Sequence, residues 1–169
     1  MGALVMSKPP LTEKDFAAHL NPVWRERANF IIDANIESGG SPRRYEQLWA
    51  WKLSENRFEI CCIPVFAYDL ALGDEVSTRT EGERLYVVDK VVKPSGRFTF
   101  RVWFGDSSTP AVRDEVIERL SALGVLFEWY SQSLLAVDGE NQELAQAVAD
   151  FLKGKEDLQQ LNYETGRTK

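Results

Sequence analysis

Short apolar segments separated by turn residues dominate residues 29–93. Each segment is bounded by Gly, Pro, Asn or Ser, which is typical of β-strands joined by tight turns. The SEN turn at 54–56 predicts a hairpin between the second and third segments, and Pro64 ends the third. The predicted strands are NFIIDANIE (29–37), YEQLWAWKL (45–53), RFEICCI (57–63), a segment at roughly 75–80 and RLYVVDKVVK (84–93).

The strand at 45–53 indicates which sheet face is buried. Alternation puts Trp49 and Trp51 on one face and Glu46 and Lys52 on the other. Two tryptophans on one face could stack on a ligand, but such a stripe is more often core. We therefore expect the tryptophan face to be buried.

Helical spacing of apolar residues marks the last third of the chain. One helix is predicted from the cap Thr109, with Pro110 in its first turn, to Gly124. A second is capped by Asn141 and ends near Gly154. The intervening strands are FTFRVWF (98–104), VLFEWY (125–130) and LLAVD (134–138).

These elements predict an α+β protein. We expect a single domain at 28–155, with a bent antiparallel sheet or partial β-barrel in 28–93 and a ferredoxin-like strand–helix–strand–helix half in 97–155. Residues 1–27 are predicted to be an N-terminal tail and a short helix that Thr12 caps and Asn21-Pro22 ends. Residues 156–169 are predicted to be a polar C-terminal tail.

Charge argues against one class of partner. The 169-residue chain has a net charge of −6, and residues 106–164 contain 12 acidic and 4 basic side chains. A field of this sign repels phosphate backbones and attracts cationic surfaces. We therefore expect no nucleic acid partner. With no signal peptide pattern and no long apolar run, we expect no membrane partner and a cytoplasmic location.

The adjacent cysteines are interpreted as core residues. Neighbouring strand residues point to opposite faces, so Cys61 and Cys62 cannot easily share a metal ion, and a reducing compartment opposes a disulfide. A dyad of Cys62 with His19, the only histidine, is possible, but nothing resembling an oxyanion turn accompanies it. We predict no catalytic residue, metal or cofactor.

Two turns are weaker candidates for a functional site. Asp74-Glu75 follows Gly73 and is typical of turn chemistry, although a carboxylate-dependent enzyme would use such a pair. Ser95-Gly96 could form a small anion nest, but it lacks the context of a phosphate-binding loop.

Several phrases resemble an uncharacterised bacterial family of domains of unknown function. The family pattern runs IPxFAxxLxxGDxV, SGxxTxRV, LxxLG and a late YE. The matching phrases cover roughly residues 28–166 and are FEICCIPVFAYDLALGDEV (58–76), SGRFTFRVWF (95–104), LSALGVLFEW (120–129), LLAVD (134–138) and NYETG (162–166). The resemblance implies no catalytic residues. Small acidic bacterial domains of this kind often stand beside secreted toxins as their immunity partners.

We therefore expect a non-enzymatic protein-binding factor, an immunity or antitoxin-like protein that occludes a basic toxin domain. The alternatives are a small-molecule-binding or regulatory module, which could dimerise through the ferredoxin-like half, and a small enzyme that uses Asp74 and Glu75. The residues predicted to bind the partner are Asp114, Glu115, Glu118, Glu140 and Glu143.

Overall fold

The computed structural model describes residues 11–37, 43–106 and 108–167. This part of the chain contains ten strands, two α-helices and one turn of 3-10 helix at Glu13–Asp15. In chain order they are β1 (Phe16–Ala17), β2 (Phe30–Asn35), β3 (Tyr45–Ser54), β4 (Arg57–Ile60), β5 (Glu75–Glu81), β6 (Arg84–Lys93), β7 (Phe98–Trp103), α1 (Pro110–Leu123), β8 (Leu126–Trp129), β9 (Leu134–Gly139), α2 (Gln142–Asp157) and β10 (Asn162–Thr165).

The first half is a barrel-like sheet. Strands β2 to β6 follow one another as an antiparallel meander, and β2 and β6 then pair in parallel at Asp33 and Val87. The closing pair is parallel because, in a meander of five strands, the first and the last run in the same direction. The expected partial barrel is thus present, and β1 adds a short parallel edge to β3.

The second half is an antiparallel sheet of four strands covered by two helices. Its strand order is β10-β7-β9-β8, with α1 connecting β7 to β8 and α2 connecting β9 to β10. One face of the sheet packs on the helices in a core that includes Phe100, Val102, Val116 and Leu120.

The helix termini follow their sequence signals. Thr109 accepts a hydrogen bond from the Val112 amide, and Gly124 ends α1 in a left-handed conformation with φ of 76°. Asn141 caps α2 by accepting from the Leu144 amide. The second helix extends past Gly154 to Asp157. Among the described residues, neither helix has the length and apolar content needed to cross a bilayer.

The described structure differs from the prediction near both termini, while the tail predicted before Leu11 lies outside the described residues. The capping box of Thr12 and Asp15 forms, but the helix ends after one turn because Phe16 is already extended and begins β1. The supposed polar tail contains β10, whose four residues pair with β7. The sequence signal was weak because this short strand exposes both of its ends.

An irregular segment, residues 61–74, lies between the two halves. Its apolar side chains Ile63, Val65 and Leu72 pack against Leu134 and Ala136, which lie on the face of β9 that points away from the helices. The second sheet is therefore buried on both sides, by helices on one and by this segment on the other.

Substitution of Val116 with Asp tests the helix packing. Val116 is fully buried, so an unpaired charge there should lower the free energy of unfolding by about 3–5 kcal/mol. Chemical denaturation provides the measurement, and Ser121→Asp, on the exposed side of the same helix, is the matched control. Equal stability of the two variants would contradict the packing of α1.

Candidate functional site

The five acidic residues predicted to bind a partner lie on or beside the helices. Asp114, Glu115 and Glu118 are exposed on α1, and Glu140 and Glu143 are exposed at the beginning of α2. Each is accessible to another protein.

Contacts separate the five residues into two groups. Lys155, near the end of α2, binds Glu115 of α1. Glu143 precedes Lys155 by twelve residues on the same helix, which places it about 18 Å away along the axis. Glu140 lies instead near Arg97, at 3.8 Å. Asp114, Glu115 and Glu118 thus form one acidic group, and Glu140 and Glu143 form another.

The helix surface carries less charge than the sequence count suggested. Of the twelve acids, Glu128 and Asp138 are buried, Glu164 pairs with Arg101, and Asp106 precedes α1. The helices and the turn before α2 keep eight acids and four bases, a net of −4. We call this surface the acidic helix layer; its acids are Asp114, Glu115, Glu118, Glu140, Glu143, Asp150, Glu156 and Asp157.

The most concentrated polar chemistry is buried between the two halves. The imidazole of His19 contacts Glu46 of β3 through Nε2, at 2.7 Å, and Glu128 of β8 through Nδ1, at 2.9 Å. Cys62 adjoins the same ring. None of these side chains is more than 6% exposed. We call His19, Glu46, Glu128 and Cys62 the carboxylate–histidine cluster.

The two carboxylates of this cluster also bind the irregular segment. Glu46 accepts hydrogen bonds from the amides of Val65, Phe66 and Ala67, at 2.7–3.0 Å. Glu128 accepts one from the amide of Ile63, at 2.6 Å. The intervening residue is Pro64, which has no amide hydrogen and needs no acceptor. The amides of residues 63 and 65–67, which belong to no strand, are therefore satisfied by these two carboxylates.

Electrostatics favours a protonated histidine. Burial alone would lower the pKa of His19, but the two carboxylates hydrogen-bonded to its ring, Glu128 and Glu46, outweigh it and raise that pKa well above the usual 6.5. Burial likewise favours a neutral Glu46, yet His19 and the backbone amides lower its pKa. The cluster therefore holds an imidazolium between two carboxylates.

The cysteines are buried free thiols, as the sequence predicted. Burial raises the pKa of Cys61 to about 12 and also raises the pKa of Cys62, although His19 acts in the opposite direction there. The structure does bring Cys62 and His19 together. Both are sealed from solvent and the thiol stays protonated at neutral pH, so the pair lacks the accessible thiolate that a nucleophile requires.

The expected orientation of β3 is wrong. Glu46 is fully buried inside the barrel, whereas Trp51 is 37% exposed and Trp49 is half-buried. The outward tryptophans are covered in part by arginines, since Arg25 lies over Trp49 and Arg27 over Trp51. Alternation identified the two faces correctly, but the general preference for burying tryptophan selected the wrong one.

Asp74 and Glu75 do not act as a pair. Asp74 is 5% exposed and accepts hydrogen bonds from the amides of Ala71 and Ser95, so it fixes two turns to one another. Glu75 lies on β5 beside Arg57, at 3.7 Å. This arrangement supports the turn interpretation of the motif.

A second polar contact attaches the irregular segment to the second sheet and was missed at the sequence level. Arg101 of β7 is 2% exposed, binds the carbonyl of Ala67 and lies 3.2 Å from Glu164 of β10. Glu164 also accepts a hydrogen bond from the hydroxyl of Tyr68, at 2.8 Å. The only sequence signal for this contact was an arginine within the otherwise apolar pattern of the strand predicted at 98–104.

No group of three or more His, Cys, Asp and Glu side chains in the described part of the chain is arranged to hold a metal ion.

Comparisons with known proteins identify a family and a fold. Residues 46–163 match the model of a domain of unknown function, DUF4265. A crystal structure of a hypothetical protein from Neisseria gonorrhoeae superposes with a TM-score of 0.69 at 20% identity, over 81% of this chain and 93% of that one. At this identity the likeness shows the fold alone. No curated protein matches the chain.

The pH dependence of stability tests the carboxylate–histidine cluster. The pKa of His19 is raised in the folded protein, so its stabilisation is complete below the unfolded value of about 6.5 and is lost as pH rises through the folded value. We expect the free energy of unfolding to fall above pH 6.5. In His19→Gln this slope should disappear, and stability should drop by about 3–5 kcal/mol. An identical slope in the variant would contradict the assignment, because His19 is the only histidine.

Thiol accessibility tests the burial of the cysteines. A thiol reagent should not react with the native protein and should modify two thiols after denaturation. Cys61→Ala and Cys62→Ala variants assign each reaction. Rapid modification of Cys62 in the native state would show that the cluster is open to solvent.

Proposed function

The chain belongs to the DUF4265 family of domains of unknown function, and from that premise we propose that it is a non-enzymatic protein-binding factor. The observation that carries the proposal is the distribution of its polar groups. The polar side chains suited to catalysis are buried and bind one another or the backbone, whereas the acids of the acidic helix layer are mostly exposed, on the side of the helices that faces away from the core.

The buried groups serve as structural contacts. His19, Glu46 and Glu128 bind one another and the amides of the irregular segment. A general base or nucleophile must reach substrate, and none of these side chains is more than 6% exposed. This argues for a scaffold role of the cluster.

The acidic helix layer favours a partner protein with a basic surface. Asp114 and Glu118 are one helical turn apart and exposed. A protein surface rich in Lys or Arg would approach such a layer faster through electrostatic steering. Among protein-binding factors, we propose an immunity or antitoxin-like protein that covers a basic toxin domain.

We also assign the second half to the ferredoxin-like arrangement. The support is its β-α-β-β-α-β element order and the strand order β10-β7-β9-β8, with both helices on one face. In this arrangement the helices form a continuous outer surface, which suits the proposed contact.

Charge reversal tests the proposal. The test variant is Asp114→Lys with Glu118→Lys, which leaves the Glu115–Lys155 contact intact. The control is Glu13→Lys with Glu83→Lys, which changes the net charge equally at exposed positions of the N-terminal region and the β5–β6 turn. Association with the protein encoded by the neighbouring gene is measured by surface plasmon resonance at several salt concentrations.

The test variant should reduce the on-rate about tenfold at low salt, with a smaller effect at high salt, and the control should not. Equal on-rates for the two variants would show that the acidic helix layer only aids solubility. Failure of the wild-type protein to bind or inhibit that neighbour would contradict the immunity role.

A further inference from the structure

A cleft on the side of the barrel is lined by more basic than acidic side chains, although the chain as a whole is negatively charged. It encloses about 860 Å³ and lies between the turn at 23–28, β4 and the residues that precede β7. Its charged lining residues are Arg25, Glu26, Arg27, Glu59 and Arg97. We call it the arginine cleft.

The arginines of the cleft differ in how they are neutralised. Arg27 binds Glu59 through two nitrogens, so this pair is satisfied internally. Arg97 is hydrogen-bonded to the buried Asp138 at 2.6 Å through one nitrogen, while its other terminal nitrogen is 3.8 Å from Glu140. Among the described residues, no carboxylate forms an ion pair with Arg25. Arg25, and the Arg97 nitrogen that does not bind Asp138, therefore keep hydrogen-bond donors for a ligand.

Aromatic rings hold these arginines in place. The Arg25 guanidinium lies 5.6 Å from the centre of the Trp49 ring, and that of Arg97 lies 5.1 Å from the centre of the Trp24 ring. Stacking on tryptophan restricts the guanidinium without using its hydrogen-bond donors. Little conformational entropy is then lost when an anion binds.

The wall of the cleft is shaped by Gly73. Its φ of 82° favours glycine, and an added Cβ would lie 3.2 Å from Ser95 and 3.4 Å from the Trp24 ring. The absence of a side chain lets Trp24 and Ser95 both lie close to the Gly73 backbone. Trp24 is also anchored by its amide, which donates to the carbonyl of Cys61 at 3.1 Å.

We propose that the arginine cleft binds a small organic anion that combines an oxyanion group with a flat ring. Arg25 and Arg97 bind the phosphate or carboxylate, because a guanidinium matches the geometry of either group. The accessible part of Trp24 contacts the ring. The volume suits a ligand of this size, since pockets for small molecules usually enclose about 300–1,000 Å³.

Four small probes test the site by protein-observed NMR. Phenyl phosphate and benzoate share a ring and differ in the oxyanion, whereas phenol lacks the anion and inorganic phosphate lacks the ring. Both ring-bearing anions should shift the amides of Gly73 and Ser95 and the indole signal of Trp24. Their relative affinities identify the preferred oxyanion. Phenol and inorganic phosphate should bind at least about tenfold more weakly, equivalent to about 1.4 kcal/mol.

Variants separate the proposed contacts from general charge effects. Arg25→Gln should weaken binding of the preferred probe about tenfold, because it removes a guanidinium that is not part of an internal ion pair. Arg119→Gln, exposed on α1 outside the cleft, is the matched control and should leave binding unchanged. Arg97 is not altered, since its loss would strand the buried Asp138.

The proposal is overturned if neither ring-bearing anion shifts the cleft signals, if inorganic phosphate binds as tightly as phenyl phosphate, or if the Arg25 and Arg119 variants bind equally. These results are independent of the acidic helix layer, whose partner is tested by different variants.

Discussion

The contact of His19 with two buried carboxylates is the constraint on which the structure depends. Residues 61–74 cross between the two sheets without forming a strand with either, so their amides need acceptors away from water. Glu46 from the barrel and Glu128 from the second sheet supply them for the amides of residues 63 and 65–67. Two carboxylates in one apolar region would repel each other, and a protonated imidazole between them compensates both. Removing any one of the three leaves a buried charge or a set of amides without its partner.

The two surfaces that we propose for binding are connected to the same junction. The segment that the cluster fixes supplies the carbonyl of Cys61, which anchors Trp24, and Gly73, which shapes the arginine cleft. Glu128 lies on the strand that follows α1, so the helix layer is attached to the barrel through it. Arg101 and Glu164 add a second connection beside Ala67.

Local signals predicted most elements, but not the contacts between them. The caps Thr109 and Asn141, the SEN hairpin and the apolar stripe of α1 depend on neighbouring residues, and all are present. The role of Glu46 could not be predicted in this way, because its partner His19 lies 27 residues away and Glu128 lies 82 residues away. A carboxylate in an alternating strand is typical of an exposed face. The short strand β10 was missed because it is defined by pairing with β7, about sixty residues earlier in the chain.

The protonation state of His19 tests the central claim most directly. Nitrogen-15 NMR of the imidazole reports whether one or both ring nitrogens carry a proton, independently of any effect on stability. At pH 7.5, above the usual histidine pKa of about 6.5, we predict that both Nδ1 and Nε2 of His19 are protonated, each donating to its carboxylate. A neutral ring with a single protonated nitrogen at that pH would contradict the account.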